Sequence, residues 1–340
     1  MKRSLGALGL VLIGSLTLTA CDPPMPPEVL ASLAEQTYTC EAGDTQLYAL
    51  PTVALVATDW QFSVETNCPG MTITPIDAAS EAVALQIDRA GIAPLGTAFS
   101  QVPFALDAVV LAVNLTDISN VNLSADAIDK IWSGQITNWS DPAIAKLNAN
   151  FELPDLAISF GTDAAVGDIT SFTDWMKRLA GREVSLTGGA ATLEEFAEGS
   201  LVLTKYSAAT DLMATMVAIS TDPKVEAVSA DAEHIISAGS MFKAKSANAS
   251  VELTFDAKAK PIAPEGIDQA PAPYEAVTLI TLSLVGEDNL TTRAAARYLL
   301  RQDSQGSLGL SSVIALPETL RAIALSTVSV GLPMPTIAPE

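Results

Sequence analysis

LSADAIDKIWSGQITNW, residues 123–139, is the stretch that decides the fold of this 340-residue chain. Ser124 is a favourable N-cap, because its hydroxyl can accept a hydrogen bond from an otherwise unpaired amide in the first turn of a helix. Apolar residues then recur at helical spacing as far as Trp132, and Gly134 predicts the end of the helix. Trp132 and Trp139 are expected to pack the turn that follows, so the stretch predicts a capped helix, a stop and a buried turn.

Strand-like and helix-like runs alternate on both sides of this stretch. Runs rich in β-branched residues predict strands at 52–56, 71–74, 108–113, 201–203 and 276–285. Helical spacing predicts helices at 80–88, 141–148, 170–180 and 291–301. Residues 206–270 are polar and alanine-rich, and their pattern favours no element. The alternation of strands and helices predicts an α/β fold with a largely parallel sheet.

The amino terminus has the pattern of an export signal. Lys2 and Arg3 precede an apolar stretch, residues 5–20, that is too short to span a bilayer comfortably. The stretch ends in small residues before Cys21 and resembles a bacterial lipobox. Residues 1–20 are therefore predicted to be a lipoprotein signal peptide, and Cys21 the site of lipid attachment; a plain signal or a short anchor helix is the alternative. Proline-rich residues then predict a tether over 21–44.

Two further cysteines, Cys40 and Cys68, remain after the lipobox. An exported chain enters an oxidising compartment, where an even pair of cysteines predicts a disulfide bond. Such a bond would stabilise the fold by about 3 kcal/mol in the chain-entropy model. Two buried free thiols are the alternative.

The charge of the chain is strongly acidic. It has 18 basic and 39 acidic residues, a net charge of −21, and removal of Lys2 and Arg3 with the leader would make it −23. This charge argues against nucleic acid and anionic lipid surfaces as partners. With one histidine, no nucleophile elbow and no Walker loop, the sequence supports neither a metal site, nor a cofactor, nor an enzyme.

Residues 131–139, followed by Asp141, resemble the phosphate-binding proteins of the bacterial phosphate ABC transporter, in which a helix ends in I-(F/W)-x-G-x-I-x-x-W. Weaker similarity covers 103–114, 195–209, 272–285 and 299–320. The resemblance implies a type II periplasmic-binding-protein fold, with two α/β lobes, a two-strand hinge and a ligand cleft. Lobe I would comprise 45–108 and 273–326, lobe II 109–272, and a tail 327–340.

The resemblance also locates a candidate ligand loop. In the family, an Arg-x-Asp-Gly-Ser-Gly-Thr-like run binds phosphate just before a Phe-Thr-x-(Tyr/Trp) helix. Alignment on residues 172–175 places the family's binding positions on Thr162, Ala164, Val166, Gly167 and Asp168, of which Gly167 alone matches. In a second family loop, aligned with residues 77–82, Ser80 alone fits.

The candidate ligand-binding residues are Ser80, Thr162, Asp163, Gly167, Asp168 and Thr170. The alternative role of Asp168 is to cap the helix of the 170s, where a carboxylate stabilises the amino end. Hydroxyl and carboxylate groups at these positions could bind something neutral or cationic in place of phosphate.

By resemblance, the chain is a solute-binding protein on the extracytoplasmic side of the cell envelope, anchored there by lipid. It would close its lobes on a small anion or other small solute, phosphate in the family, and be recognised by an ABC permease. The alternative is a non-transport lipoprotein of the same fold that has lost phosphate binding and acts as a sensor or interaction protein.

Overall fold

The computed structural model describes residues 40–222, 225–247, 249–263 and 268–332. The strands are β1 (Gly43–Ala49), β2 (Met71–Ile76), β3 (Leu85–Arg89), β4 (Ala98–Val113), β5 (Asn122–Ser124), β6 (Ser159–Thr162), β7 (Ser200–Lys205), β8 (Thr215–Met216), β9 (Ala218–Ser220), β10 (Phe242–Ala247), β11 (Ser250–Phe255), β12 (Val277–Val285) and β13 (Ile314–Ala315). The helices are α1 (Pro51–Asn67), α2 (Ala125–Trp132), α3 (Pro142–Ala145), α4 (Val166–Ala180), α5 (Tyr206–Asp211), α6 (Ala232–Gly239), α7 (Leu290–Leu299), α8 (Gln302–Gly306) and α9 (Glu318–Val328).

A central mixed sheet has the strand order β2-β1-β3-β12-β4-β7-β6. The α/β class is confirmed, but the expectation of a largely parallel sheet is wrong. The outer pairs are parallel (β1 with β2 and β3, and β6 with β7), whereas β12 runs antiparallel to both β3 and β4, and β4 antiparallel to β7. The reason is that β12 returns from late in the chain and enters the sheet between two earlier strands.

β4 runs through both halves of this sheet and forms one strand of the hinge. It pairs with β12 as far as Ala108 and with β7 from Val109 onward. The segment that leads into β12 crosses beside it, since the amide of Val109 donates to the Ala276 carbonyl oxygen at 2.9 Å. The change of partner falls between residues 108 and 109, where the lobe boundary is predicted.

Two predicted elements are wrong. Residues 52–56 belong to helix α1, because Pro51 occupies its first turn and the buried side chains, Val53, Val56, Ala57, Trp60 and Val64, follow helical spacing. The predicted helix at 80–88 is absent from the structure, and residues 85–89 form strand β3, which lies between β1 and β12 with Leu85 and Ile87 fully buried.

The stretch that predicted the fold has the expected local structure. The Ser124 hydroxyl accepts a hydrogen bond from the Ala127 amide at 3.2 Å at the start of α2. Gly134 has φ of +71° beyond the end of this helix, a conformation that glycine adopts without strain. Trp139 is fully buried, and its indole N–H donates to the Gly199 carbonyl oxygen at 3.1 Å.

The first and last elements of the described chain can be compared with the predicted boundaries of the tether and of lobe I. Cys40 and Cys68 form a disulfide with their Cα atoms 5.4 Å apart, as predicted. β1 begins at Gly43, inside the range 21–44 predicted as tether, and α9 ends at Val328, just beyond the predicted end of lobe I. Within residues 40–222, 225–247, 249–263 and 268–332, no helix is long and apolar enough to cross a membrane. The predicted signal peptide, the Cys21 lipid site and residues 333–340 lie outside the described residues.

Candidate functional site

A cavity of about 310 Å³ lies against the amino-terminal half of α4 and the start of β12. Residues from both sides of the hinge line it, because Ala90 follows β3 while α4 follows β6. The hairpin β10–β11 contributes Phe242 and Phe255, whose rings pack edge to face at 5.3 Å. The other lining residues are Gly167, Asp168, Thr170, Ser171, Asp174, Arg178, Glu275, Val277, Thr278 and Leu279.

The amino end of α4 has unpaired amides. Its N-cap, Ala165, has no side chain that could accept a hydrogen bond. Among the described residues, the amides of Val166 and Gly167 have no acceptor. A Cβ atom added at Gly167 would meet no atom within 4 Å, so the helix end is open to approach. The partial positive charge of such a helix end attracts anions.

Asp168 places a carboxylate in the first turn of α4, and its side chain is only 12% exposed. Its Oδ2 lies 3.2 Å from Nη1 of Arg89, and its Oδ1 lies 3.3 Å from Nζ of Lys205. Asp168 makes no capping hydrogen bond to the helix amides, because its carboxylate pairs with two cations from other elements; of the alternative role, only the position of an acidic group in the first turn of the helix is retained.

Lys205 extends the ion-pair network into the hinge. Its Nζ donates to Oγ1 of Thr278 on β12 at 2.7 Å and lies 3.8 Å from Oδ2 of Asp107 on β4. The residues Arg89, Asp168, Lys205 and Asp107 thus form a chain of alternating charge, referred to below as the hinge charge chain. It joins β3, α4, β7 and β4.

Asp107 is the most buried member of the hinge charge chain. Burial raises the pKa of its carboxyl above the usual value, and Lys205 partly opposes this effect. The amide of Ala108 donates to Oδ1 at 2.8 Å, and the Ser207 hydroxyl donates to Oδ2 at 2.8 Å. These donors hold the carboxylate at the point where β4 changes partner.

A second ion pair flanks the cavity. Arg178, near the carboxyl end of α4, pairs with Glu275, which precedes β12. The Arg178 guanidinium also lies 5.9 Å from the centroid of the Phe255 ring, within range of a cation–π contact. Asp174, one turn before Arg178, is exposed at the cavity wall. The wall beyond the hinge charge chain therefore combines carboxylates, the Arg178 guanidinium and aromatic rings.

The structure brings together three of the six candidate ligand residues. Gly167, Asp168 and Thr170 line the cavity, and the Thr170 hydroxyl donates to the Val166 carbonyl oxygen at 3.4 Å. The remaining three candidates, Ser80, Thr162 and Asp163, do not line it.

Each of those three has its own surroundings. Ser80 lies exposed in a turn, and its carbonyl oxygen accepts from the Gln86 side chain at 3.1 Å. The Asp163 carboxylate accepts from the Leu193 amide. The Thr162 hydroxyl oxygen is buried and has no hydrogen-bond partner in the described part of the chain. Of these three side chains, only the Asp163 carboxylate is shown to hold a neighbouring loop, and none of the three forms the cavity wall.

The two cations that contact Asp168, Arg89 and Lys205, are not among the residues predicted from the sequence. Arg89 ends β3 and immediately precedes Ala90, which lines the cavity. Lys205 ends β7, two residues beyond the predicted strand at 201–203. Basic residues are scarce in this chain, so a cation at the end of a central strand was the available signal. Within the described ranges, no group of three or more His, Cys, Asp or Glu side chains could hold a metal ion.

Comparison with known proteins gives a family match over most of the fold. A model described as a PBP superfamily domain matches residues 52–278. The phosphate-binding protein PstS3 of Mycobacterium bovis is 27% identical over 177 residues, which are 45% of this chain and 48% of that protein. The phosphate-binding protein PstS of Pasteurella multocida is 43% identical over 60 residues, 17% of each chain. The chain thus spans about half the length of the mycobacterial relative that it matches.

Solved structures share the fold at low identity. A DING protein superposes with a TM-score of 0.53 at 15% identity, over 83% of this chain and 94% of that one. A human phosphate binding apolipoprotein gives the same TM-score, identity and coverage. At this level of identity the likeness concerns the arrangement of the backbone, and the chemistry of the cavity must be derived from its own side chains.

Proposed function

The chain belongs to the PBP superfamily, whose domain model matches residues 52–278, and from this premise we propose that it is a lipid-anchored extracytoplasmic solute-binding protein. The family consists of binding proteins rather than enzymes. The two lobes would close about the β4–β12 hinge on a small solute in the cavity beside α4. A membrane permease of the ABC type would recognise the closed form, which requires that the solute bind the closed state more tightly than the open one.

One observation carries this proposal: Arg89 and Lys205 reach the open amino end of α4 from opposite sides of the hinge. β3 holds Arg89 in the first half of the sheet, and β7 holds Lys205 in the second half. A solute bound between them would contact both halves, so its binding energy would favour closure. This is the arrangement that a hinge-closing receptor needs.

The relatives are named as phosphate-binding proteins, which makes phosphate the first solute to test. Two cations and the free amides of Val166 and Gly167 are suitable donors for a phosphate. The Asp168 carboxylate opposes it, because it already contacts both cations. This contact favours the second candidate function, a lipoprotein of the same fold that has lost phosphate binding and acts as a sensor or interaction protein.

Anchoring at the cell envelope is proposed from the sequence of residues 1–21. Intact-mass analysis of the chain from membranes would give the diacylglycerol addition on Cys21. A Cys21→Ser variant is expected to lose this addition, since it lacks the thiol that takes the lipid. An unmodified chain without the diacylglycerol mass on Cys21 would count against the lipid anchor.

Solute binding is tested by isothermal titration calorimetry of the full chain in detergent, against phosphate, sulfate and a panel of neutral and cationic small molecules. Binding of an anionic member of the panel is expected to weaken at least about tenfold in Lys205→Gln, because a charge-assisted contact is lost. Arg182→Gln is the matched control, since Arg182 pairs with Asp126 and Asp129 away from the cavity. A folded chain that binds no member of the panel would favour the interaction protein.

A further inference from the structure

We propose, on the basis of the solute-binding function above, that Asp168 is a built-in anion. Its carboxylate occupies the position of an anionic solute at the amino end of α4 and joins the two halves of the sheet through Arg89. The cavity then excludes phosphate and accepts a neutral or cationic small molecule.

The Asp168 carboxylate already occupies both cations, Arg89 and Lys205. Asp168 uses one oxygen for each, with Oδ2 at 3.2 Å from Arg89 and Oδ1 at 3.3 Å from Lys205. A free anion at the same helix end would need these cations and would meet the carboxylate at close range. Like charges placed side by side in a partly desolvated site strongly disfavour binding.

The Asp168 carboxylate is covalently attached to α4, whereas a solute is free. A group fixed to the protein competes as if it were present at an effective concentration on the order of millimolar or more. Asp168 is buried and directly follows Gly167 at the open end of the helix. Its carboxylate therefore stays between the two cations with little loss of conformational freedom. Arg89 contacts this carboxylate through Nη1 alone, so a phosphate that approached the rest of the guanidinium would still meet the negative charge of Asp168.

The ion pair between Arg89 and Asp168 links the two lobes. Arg89 belongs to β3, which pairs with β1 and β12, while Asp168 belongs to α4, which follows β6 at the other end of the sheet order. Their ion pair therefore bridges the hinge without any solute. The closed arrangement of the two halves is stabilised from within, as a bound anion would stabilise it.

The remaining groups of the cavity wall determine which class of solute can bind. The remaining wall offers the hydroxyls of Thr170 and Ser171, the exposed carboxylate of Asp174 and the aromatic pair of Phe242 and Phe255. The Arg178 guanidinium in this wall is paired with Glu275. Hydroxyls bind neutral polar groups, while carboxylates and aromatic faces bind cations. This wall favours the neutral or cationic class.

The experiment compares Asp168→Ser with the matched control Asp129→Ser, a carboxylate on α2 that is also paired with an arginine but does not line the cavity. Phosphate is titrated calorimetrically into each full-length chain, and circular dichroism verifies folding. Asp168→Ser is expected to bind phosphate at least about 100-fold more tightly than the unmodified chain, while Asp129→Ser stays unchanged. Small-angle scattering without solute should show a larger radius of gyration in Arg89→Gln, because the bridge across the hinge is lost.

Two results would overturn the inference: micromolar phosphate binding by the unmodified chain, or a folded Asp168→Ser variant that gains no phosphate binding. The first of these would leave the solute-binding function intact and identify its ligand. Failure of the whole neutral and cationic panel would count against the proposed function and against the solute class inferred here, whereas a gain of phosphate binding in Asp168→Ser would still support the role of Asp168 as a built-in anion.

Discussion

Asp168 on α4 and Arg89 on β3 are 79 positions apart in the chain, yet their carboxylate and guanidinium atoms lie 3.2 Å apart across the hinge. This contact ties the helix that begins at the cavity to the first half of the sheet. Lys205 holds the other oxygen of the same carboxylate and carries the ion-pair network on to Asp107. The cavity and the hinge are therefore parts of one electrostatic unit.

The Arg89–Asp168 pair is expected to make a small, measurable contribution to folding stability. Arg89 is 45% exposed, so solvent screens the interaction, and a double-mutant cycle with Arg89→Gln and Asp168→Asn should give a coupling of about 0.5–1 kcal/mol. Urea unfolding provides the free energies. The more exposed Lys177–Glu183 pair serves as the control and should give less. Equal coupling in the two cycles would show that the interlobe pair is an ordinary surface contact.

Asp107 should make stability fall as the pH rises. Its burial raises the folded-state pKa above the ordinary value of 3.8, so the folded chain keeps this proton to higher pH than the unfolded chain does. The contribution is fully present below the unfolded pKa and is lost as pH rises through the folded pKa. Asp107→Asn should remove this decline, measured as the free energy of unfolding between about pH 3 and pH 8.

Asp126→Asn supplies a control of opposite sign for the pH experiment. Hydrogen bonding by Lys130, aided by Arg182, lowers the pKa of Asp126, so its contribution is present at neutral pH and lost as pH falls through the folded pKa. The Asp126 variant should therefore alter the acid side of the stability profile. Identical profiles for Asp107→Asn and the unmodified chain would contradict the role assigned to burial.

Gly161 and Gly167 flank the loop before α4 and should respond differently to alanine. A Cβ atom at Gly161 would lie 2.0 Å from the Ala191 carbonyl oxygen, which is a backbone contact that cannot move cheaply. Gly161→Ala should cost about 1–3 kcal/mol, whereas Gly167→Ala should stay within about 1 kcal/mol of the unmodified chain. Thermal unfolding of both variants measures the difference. A similar cost at both positions would mean that crowding at Gly161 does not decide the outcome.

The Cys40–Cys68 disulfide is expected to stabilise the fold by about 3 kcal/mol, because it restricts the unfolded chain. The Cys40→Ser, Cys68→Ser double variant should lose this amount in urea unfolding without reductant. The unmodified chain with reductant should give the same value, which controls for the serine substitutions. Unchanged stability in both would show that the bond closes a loop already ordered in the unfolded state.

The sequence predicted those helix ends at which a capping or helix-ending residue lies next to the helix in the chain. Ser124, Gly134 and Asp141 act within one turn of their own position, so the sequence contains the whole interaction. β3 was misassigned because its strand structure depends on β1 and β12, one of which lies late in the chain. The start of α1 resembles a strand because Thr52, Val53 and Val56 are β-branched, although Pro51 indicates a helix start.

The cavity was predictable only in part for the same reason. The loop at Gly167 and Asp168 follows from its neighbours along the chain, and the resemblance located it. The partners of Asp168 come from the ends of β3 and β7, and the sheet order alone brings them together. When a charged residue pairs with one that is distant in the chain, the sequence shows no regular spacing between the two. For this reason the sequence does not predict the roles of Arg89 and Lys205.

The position of β12 between β3 and β4 has a consequence for the order in which the protein can assemble. Ribosomal synthesis delivers β1 to β4 first, whereas residues 277–285 come only after the strands β6 and β7 that complete the other half. Until then, β3 and β4 each present an unpaired edge rich in apolar side chains, which invites association between nascent chains. The second half of the sheet can form early, so holding chaperones should act mainly on the unfinished first half.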